Sequence, residues 1–230
     1  MPAETLVLVP GLACTAELFA PQLRALPGPA LVADHAGDDT LPAIARRLLA
    51  SAPERFALAG LSMGGYVALE VMRQAPERVT RLALLDTSAR PDTGEARANR
   101  ERLIALAQAG RYAEVHPALW PRLVHPDRVR DAALERTVRG MATVTGAEAF
   151  VRQQRAIMGR PDSRPLLPNI EIPTLVLVGA EDQLTPPELS REMAEAVEWA
   201  SLVVVPACGH LSTLEQPEAV TRALDLWLKA

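Results

Sequence analysis

Gly60-Leu61-Ser62-Met63-Gly64-Gly65 sets a serine in a G-x-S-x-G pattern. The pattern falls where a short apolar run, Phe56–Gly60, meets a helical stretch, Met63–Gln74. A strand that turns this tightly into a helix forces the serine into a strained backbone conformation. Gly60 and Gly64 leave room where side chains would clash. The hydroxyl then stands above the carboxyl edge of a sheet, with the free N–H groups and partial positive charge of a helix N-terminus beneath it. The chemistry this suits is nucleophilic attack on a carbonyl.

A serine is a poor nucleophile without a base, and the base needs an acid to orient it. There are four histidines: His35, His116, His125 and His210. His210 stands in Ala207-Cys208-Gly209-His210, after an apolar run and before the last helix, at the same sheet edge as Ser62. It is the expected base. His116 and His125 fall in a helical region and His35 follows the second strand, so these read as surface or pocket-lining. The acid should also follow a strand. Asp182, in Gly179-Ala180-Glu181-Asp182, does so; Glu181 is expected to point elsewhere, and Asp86, at the end of the fourth strand, is the rival. The order Ser62, Asp182, His210 fits this motif class. An oxyanion hole needs two backbone donors. The N–H of Met63 is one. The other is expected from Leu12 in the turn Val9-Pro10-Gly11-Leu12-Ala13, where Pro10 cannot donate and Gly11 lets the chain turn sharply.

Alternating strands and helices must position these residues. Thr5–Val9, Ala30–Asp34, Phe56–Gly60, Arg81–Asp86, Thr174–Gly179 and Ser201–Pro206 read as strands. Their continuous apolar character points to a parallel sheet buried on both faces. Leu41–Ala52, Met63–Gln74, Pro187–Val197 and Glu215–Lys229 read as helices, so right-handed crossovers build a doubly wound α/β sheet of about six strands. Between the fourth and fifth strands the rhythm breaks. Ala96–Ala109, Tyr112–Val124, Asp127–Met141 and Ala147–Met158 are all helical in pattern. The expected division is a core of residues 1–90 and 169–230 with a helical cap at 91–168.

Composition excludes several alternatives. The 230 residues are 49% apolar and 23% charged, ordinary for a globular chain and unlike a disordered or collagenous one. A net charge of −4 offers no basic field for nucleic acid. No apolar run is long enough for a membrane helix. The N-terminus, Met1-Pro-Ala-Glu-Thr, lacks a basic n-region and a long h-region, so no signal peptide is expected. With only Cys14 and Cys208 there is no disulfide framework, and the expectation is a cytoplasmic protein with buried thiols. No metal or organic cofactor is called for. Aromatic residues make up 3% of the chain, so a pocket lined mostly by aliphatic side chains is expected, suited to alkyl or small acyl groups. Trp120, Phe150 and Met158 are the candidate lining residues.

The elbow at Gly60–Gly64, the acid loop Gly179–Asp182 and the Gly209-His210 loop, in this order and spacing, resemble the α/β-hydrolase superfamily over nearly the whole chain. Gly-Leu-Ser-Met-Gly-Gly, Glu181-Asp-Gln-Leu-Thr-Pro-Pro187 and His210-Leu-Ser-Thr-Leu-Glu-Gln-Pro-Glu218 are similar to the serine carboxylesterase and 3-oxoadipate enol-lactonase group. The resemblance implies Ser62 as nucleophile, His210 as base, Asp182 as its orienter, and the 91–168 insertion at the family's cap position. Two features depart from it. Pro10-Gly11 stands where His-Gly is usual, and the first family strands are missing. Serine at position 62 disfavours dehalogenases and epoxide hydrolases of this fold, which use aspartate there. The implied activity is hydrolysis of a small-molecule ester. An enol-lactonase, a C–C bond hydrolase or a cofactor-free perhydrolase would use the same triad, with Arg152 or Arg155 available to clamp a substrate carboxylate. A ligand-binding protein without catalysis is the reading from another class.

Overall fold

The computed structural model describes residues 4–230; residues 1–3, which belong to the N-terminal stretch read for a leader, lie outside it. Among the described residues the strands are β1 (Leu6–Val9), β2 (Ala30–Val32), β3 (Phe56–Leu61), β4 (Val79–Leu85), β5 (Thr174–Gly179) and β6 (Ala200–Val205). The helices are α1 (Ala20–Ala25), α2 (Leu41–Ser51), α3 (Met63–Gln74), α4 (Gly94–Gln108), α5 (Val115–Leu123), α6 (Ala132–Met158), α7 (Pro187–Ala196), α8 (Ser212–Glu215) and α9 (Pro217–Lys229). The strands form one sheet in the order β2-β1-β3-β4-β5-β6, and every neighbouring pair is parallel. All six strands therefore end at one edge.

Strand residues alternate between two cores. Val7, Val9, Leu58, Leu82, Leu84 and Val176 pack with residues of α2, α3 and α7. Leu6, Leu8, Ala57, Ala59, Leu85 and Leu177 pack on the other face with Leu18 and Phe19, just before α1, and with Val220, Leu224 and Trp227 of α9. At about 1.5–3 kcal/mol for each large side chain fully buried, these two layers hold the sheet. Burial on both faces applies to the four central strands. β6 is an edge strand, and its Leu202 and Val204 are 36% and 39% exposed. β2, at the other edge, is also only partly covered.

Between β4 and β5 every regular element is a helix. α4 begins at an N-cap, where Thr93 Oγ1 accepts the Ala96 N–H. α6 begins at Asp131, whose Oδ1 accepts the N–H groups of Ala133 and Leu134. Inside α6, Gly146 leaves the helical region at φ 75°, ψ 165°, so the chain bends between two helical stretches there. Only glycine takes such a backbone without strain. These helices lie over the carboxyl edge of the sheet. The Leu123 carbonyl at the end of α5 accepts the N–H groups of both His210 and Leu211.

Candidate active site

Ser62 follows β3 and precedes α3, with φ 56° and ψ −114°. A non-glycine residue at this positive φ is strained, and it persists because its surroundings fix it. The Ser62 N–H is bound by the Leu85 carbonyl of β4 (2.9 Å), and its own carbonyl accepts from Thr87 Oγ1 (2.8 Å). The glycine at 64 is required by close approach: a Cβ there would lie 1.9 Å from the Val9 carbonyl oxygen at the end of β1. The elbow is thus held directly against the turn that follows β1.

The ends of β3, β5 and β6 bring three side chains together. The Ser62 hydroxyl lies 2.8 Å from His210 Nε2, and His210 Nδ1 lies 2.7 Å from Asp182 Oδ2. Asp182 is fixed by its own loop. Its Oδ1 accepts the N–H groups of Leu184 (2.8 Å) and Thr185 (3.0 Å), and its Oδ2 accepts the Thr185 hydroxyl (2.7 Å). Such an acceptor, closed by donors on one side, orients the imidazole so that Nδ1 donates and Nε2 faces the serine. Burial opposes charge on His210, but the Asp182 carboxylate charge and hydrogen bond, with Asp86 and Glu215 beyond, outweigh it and raise the imidazole pKa above its usual value. Burial likewise opposes the charge on Asp182. The His210 charge and the hydrogen bonds from His210 and Thr185 prevail, and its carboxyl sits below the usual range.

Asp86, at the end of β4, makes no hydrogen bond to His210. Its Oδ1 accepts the Gly179 N–H (2.9 Å) and its Oδ2 takes the Ser212 hydroxyl. Burial and the Asp182 charge hold its carboxyl well above the usual range. Glu181 points away, to the Cys208 N–H (2.9 Å).

The turn after β1 closes by a Cys14 N–H to Gly11 carbonyl bond of 3.1 Å. It runs beside the serine, since a Cβ on Gly11 would touch Ser62 Cβ at 3.5 Å. Leu12 lies in this turn, and Met63 is the first residue of α3, where a helix leaves its N–H groups unbonded. Two buried side chains pin the turn. His35 Nε2 lies 3.0 Å from the Gly11 carbonyl, and Gln153 Oε1 of α6 accepts the Ala13 N–H at 2.9 Å. Burial lowers the His35 pKa, so the ring is neutral and donates through Nε2. His35, just after β2, thus braces the turn that carries Pro10. Glu215 does similar work for the base. Its Oε1 accepts the N–H groups of Gly209 (3.0 Å) and Leu211 (3.2 Å), and its Oε2 that of His125 (2.7 Å).

A cavity of about 880 Å³ opens at Ser62 and His210 between the sheet edge and α4–α6. Phe150 lines it and packs on Tyr112, with ring centroids 5.3 Å apart. Trp120 and Met158 do not line it. Trp120 turns under the pocket, donating Nε1–H to the Val129 carbonyl (2.9 Å) and stacking on His116, which does line the pocket. Met158 ends α6 and packs against the cluster around Phe150. Aliphatic side chains such as Leu12, Leu103, Leu119 and Ile157 form much of the wall, as the scarcity of aromatics implies. The wall also carries Arg100 and Gln154, a polar side that composition did not foretell. Arg152 instead donates to the Ala36 carbonyl, and Arg155 is exposed; neither lines the cavity. Cys14 and Cys208 are buried and unbonded to each other, and burial pushes the Cys14 thiol up to about 12.

A parallel sheet ending in this elbow defines a class, and the sequence places the chain in it: the chain belongs to the alpha/beta hydrolase family, whose profile matches residues 5–223. Among solved structures, it is similar to a thermophilic esterase from Thermogutta terrifontis (32% identity, TM-score 0.90, covering 99% of this chain and 90% of that one). It is also similar to the enol-lactonase from Burkholderia xenovorans LB400 (26% identity, TM-score 0.90, covering 100% and 93%). A provisionally named carbamate hydrolase, RutD, from Rhizobium rhizogenes is 28% identical over 99% of this chain and 94% of its own length.

Proposed function

We propose that the protein is a serine hydrolase that cleaves carboxylic esters of small or medium acyl groups. The observation that carries the reading is the chain of two hydrogen bonds from Ser62 Oγ through His210 to Asp182, 2.8 Å and 2.7 Å long, at the mouth of the cavity. In this reading the Ser62 proton passes to His210 Nε2 as Oγ attacks the ester carbonyl carbon. The oxyanion that forms is held by the N–H groups of Leu12 and Met63. Collapse expels the alcohol, which takes the proton back from Nε2 and leaves an acyl-serine. Water then gives a proton to Nε2 and attacks the acyl carbon. The second tetrahedral species releases the acid and restores the Ser62 hydroxyl. Asp182 keeps its negative charge throughout and stabilises the imidazolium in both steps.

Residues 91–168 act as a cap over the core of 1–90 and 169–230, and cap and core together enclose the acyl pocket. The likeness to the Thermogutta esterase supports the ester as substrate. The likeness to the Burkholderia enol-lactonase supports a lactone as the second reading, since the same steps open a cyclic ester. Two buried, unpaired thiols suit a reducing cytoplasm. The test is a panel of ethyl and 4-nitrophenyl esters of increasing acyl length, with lactones, run on wild type and Ser62→Ala. Turnover should fall by roughly three orders of magnitude or more in the variant. Full activity in Ser62→Ala refutes the reading.

A further inference from the structure

The loops that carry Asp182 and His210 meet backbone to backbone. A Cβ on Gly179, at the end of β5, would lie 2.0 Å from the carbonyl oxygen of Gly209, the residue before His210. One buried side chain bridges this seam. Asp86, at the end of β4, accepts the Gly179 N–H through Oδ1 at 2.9 Å, and its Oδ2 bonds the hydroxyl of Ser212, just past His210. Its own backbone bends to make the reach, with φ 44°, and its N–H is tied to the Leu177 carbonyl of β5 at 2.8 Å. A positive φ on a residue other than glycine persists only where the surroundings fix it, and aspartate and asparagine bear it better than most.

Asp86 is completely buried, and among the described residues it forms no ion pair; the His210 imidazole pairs with Asp182 instead. A carboxylate buried without a cation is costly. Burial and the Asp182 charge hold the Asp86 carboxyl well above the usual range. The uncharged acid keeps both bonds. Oδ1 still accepts from Gly179, and Oδ2 has a proton to give to Ser212 Oγ.

We propose that Asp86 is a positioning residue that sets the spacing between the loop carrying Asp182 and the loop carrying His210, through hydrogen bonds rather than through charge. The inference rests on the ester-hydrolase reading and adds a residue to its machinery. The 2.7 Å bond from His210 Nδ1 to Asp182 Oδ2 spans the two loops. A shift of about 1 Å between reacting groups can cost on the order of a hundredfold in rate.

The test uses two variants. Asparagine offers the same acceptor and donor as the uncharged acid and tolerates the same backbone. Glycine tolerates the backbone and removes the bridge. With 4-nitrophenyl acetate, Asp86→Gly should lose about tenfold to a hundredfold in kcat with KM little changed, and Asp86→Asn should recover most of that loss. Asp86→Ser, too short to reach both partners, takes the place of the glycine variant should that one melt early. Charge is read from the acid limb of kcat/KM. His210 is surrounded by Asp182, Asp86 and Glu215, and the cavity it faces carries Glu95 and Arg100 on α4, Arg122 on α5 and Arg139 on α6. Of these only Asp86 differs between wild type and Asp86→Asn. An ionised Asp86 would add to the field on His210, so its removal would move the limb to lower pH; the uncharged acid leaves the limb in place. A second arm needs no turnover. The far-downfield NMR signal of the His210 Nδ1–H should persist in Asp86→Asn and weaken or move upfield in Asp86→Gly. This arm stands even if wild type hydrolyses no ester, an outcome that would sink the ester reading alone. A glycine variant with wild-type kcat and an unmoved Nδ1–H signal, an asparagine variant no better than glycine, or a limb that drops in Asp86→Asn overturns the proposal.

Discussion

His210 is buried between a carboxylate and a hydroxyl, and its ionisation sets the pH dependence of the proposed reaction. The neutral imidazole is the active form. Because the Asp182 charge holds its pKa above the ordinary histidine value, the acid limb of kcat/KM lies above that value, and activity rises with pH through it. Asp182→Asn removes both the charge and the correct acceptor. The limb should then move to lower pH, while kcat falls by about four orders of magnitude, the size of effect seen where this role has been tested in other triads. A pH–rate profile with the limb unmoved contradicts the assignment. At this scale, Ser62, Asp182 and His210 are legible as candidates because each lies within four residues of the end of an apolar run and the serine sits between glycines. His35, Gln153 and Glu215 are not. Each acts by a hydrogen bond to a backbone group far along the chain, and no local spacing records such a contact.

The strands carry these residues to one place because a parallel sheet ends all its strands at one edge, and the loops there are free to hold side chains. The order of elements was readable from apolar runs and helical periods. The extent of burial was less so, because β6 lies at the edge and exposes residues that read as core from composition alone. The break at Gly146 appeared in the pattern as two separate helices. How the helical segment docks was not readable, because docking is fixed by contacts such as Leu123 with His210 and Glu215 with His125. Glu215 ties the loop after β6 to the residue after α5, using one carboxylate for three amides. In Glu215→Gln one acceptor becomes an NH2 group facing an N–H. The variant should lose about 1–3 kcal/mol of stability, read from the urea midpoint at unchanged m-value, together with activity. An unshifted midpoint shows that the carboxylate does not secure the loop.

At the scale of the whole molecule, the cavity belongs to neither layer alone. Core and helical segment each supply part of its wall, so Ser62 and His210 face a cavity built from both. A chain of this composition, poor in aromatic residues, builds the junction from leucine and isoleucine and then interrupts it with Arg100 and Gln154. The proposed mechanism requires that Ser62 become covalently acylated. The most direct measurement is intact-protein and peptide mass spectrometry after brief exposure to a fluorophosphonate, for wild type and Ser62→Ala. One adduct per chain is expected, located on Ser62, with parallel loss of esterase activity and no adduct in the variant. An unlabelled wild type, or an adduct on another residue with activity abolished, contradicts it.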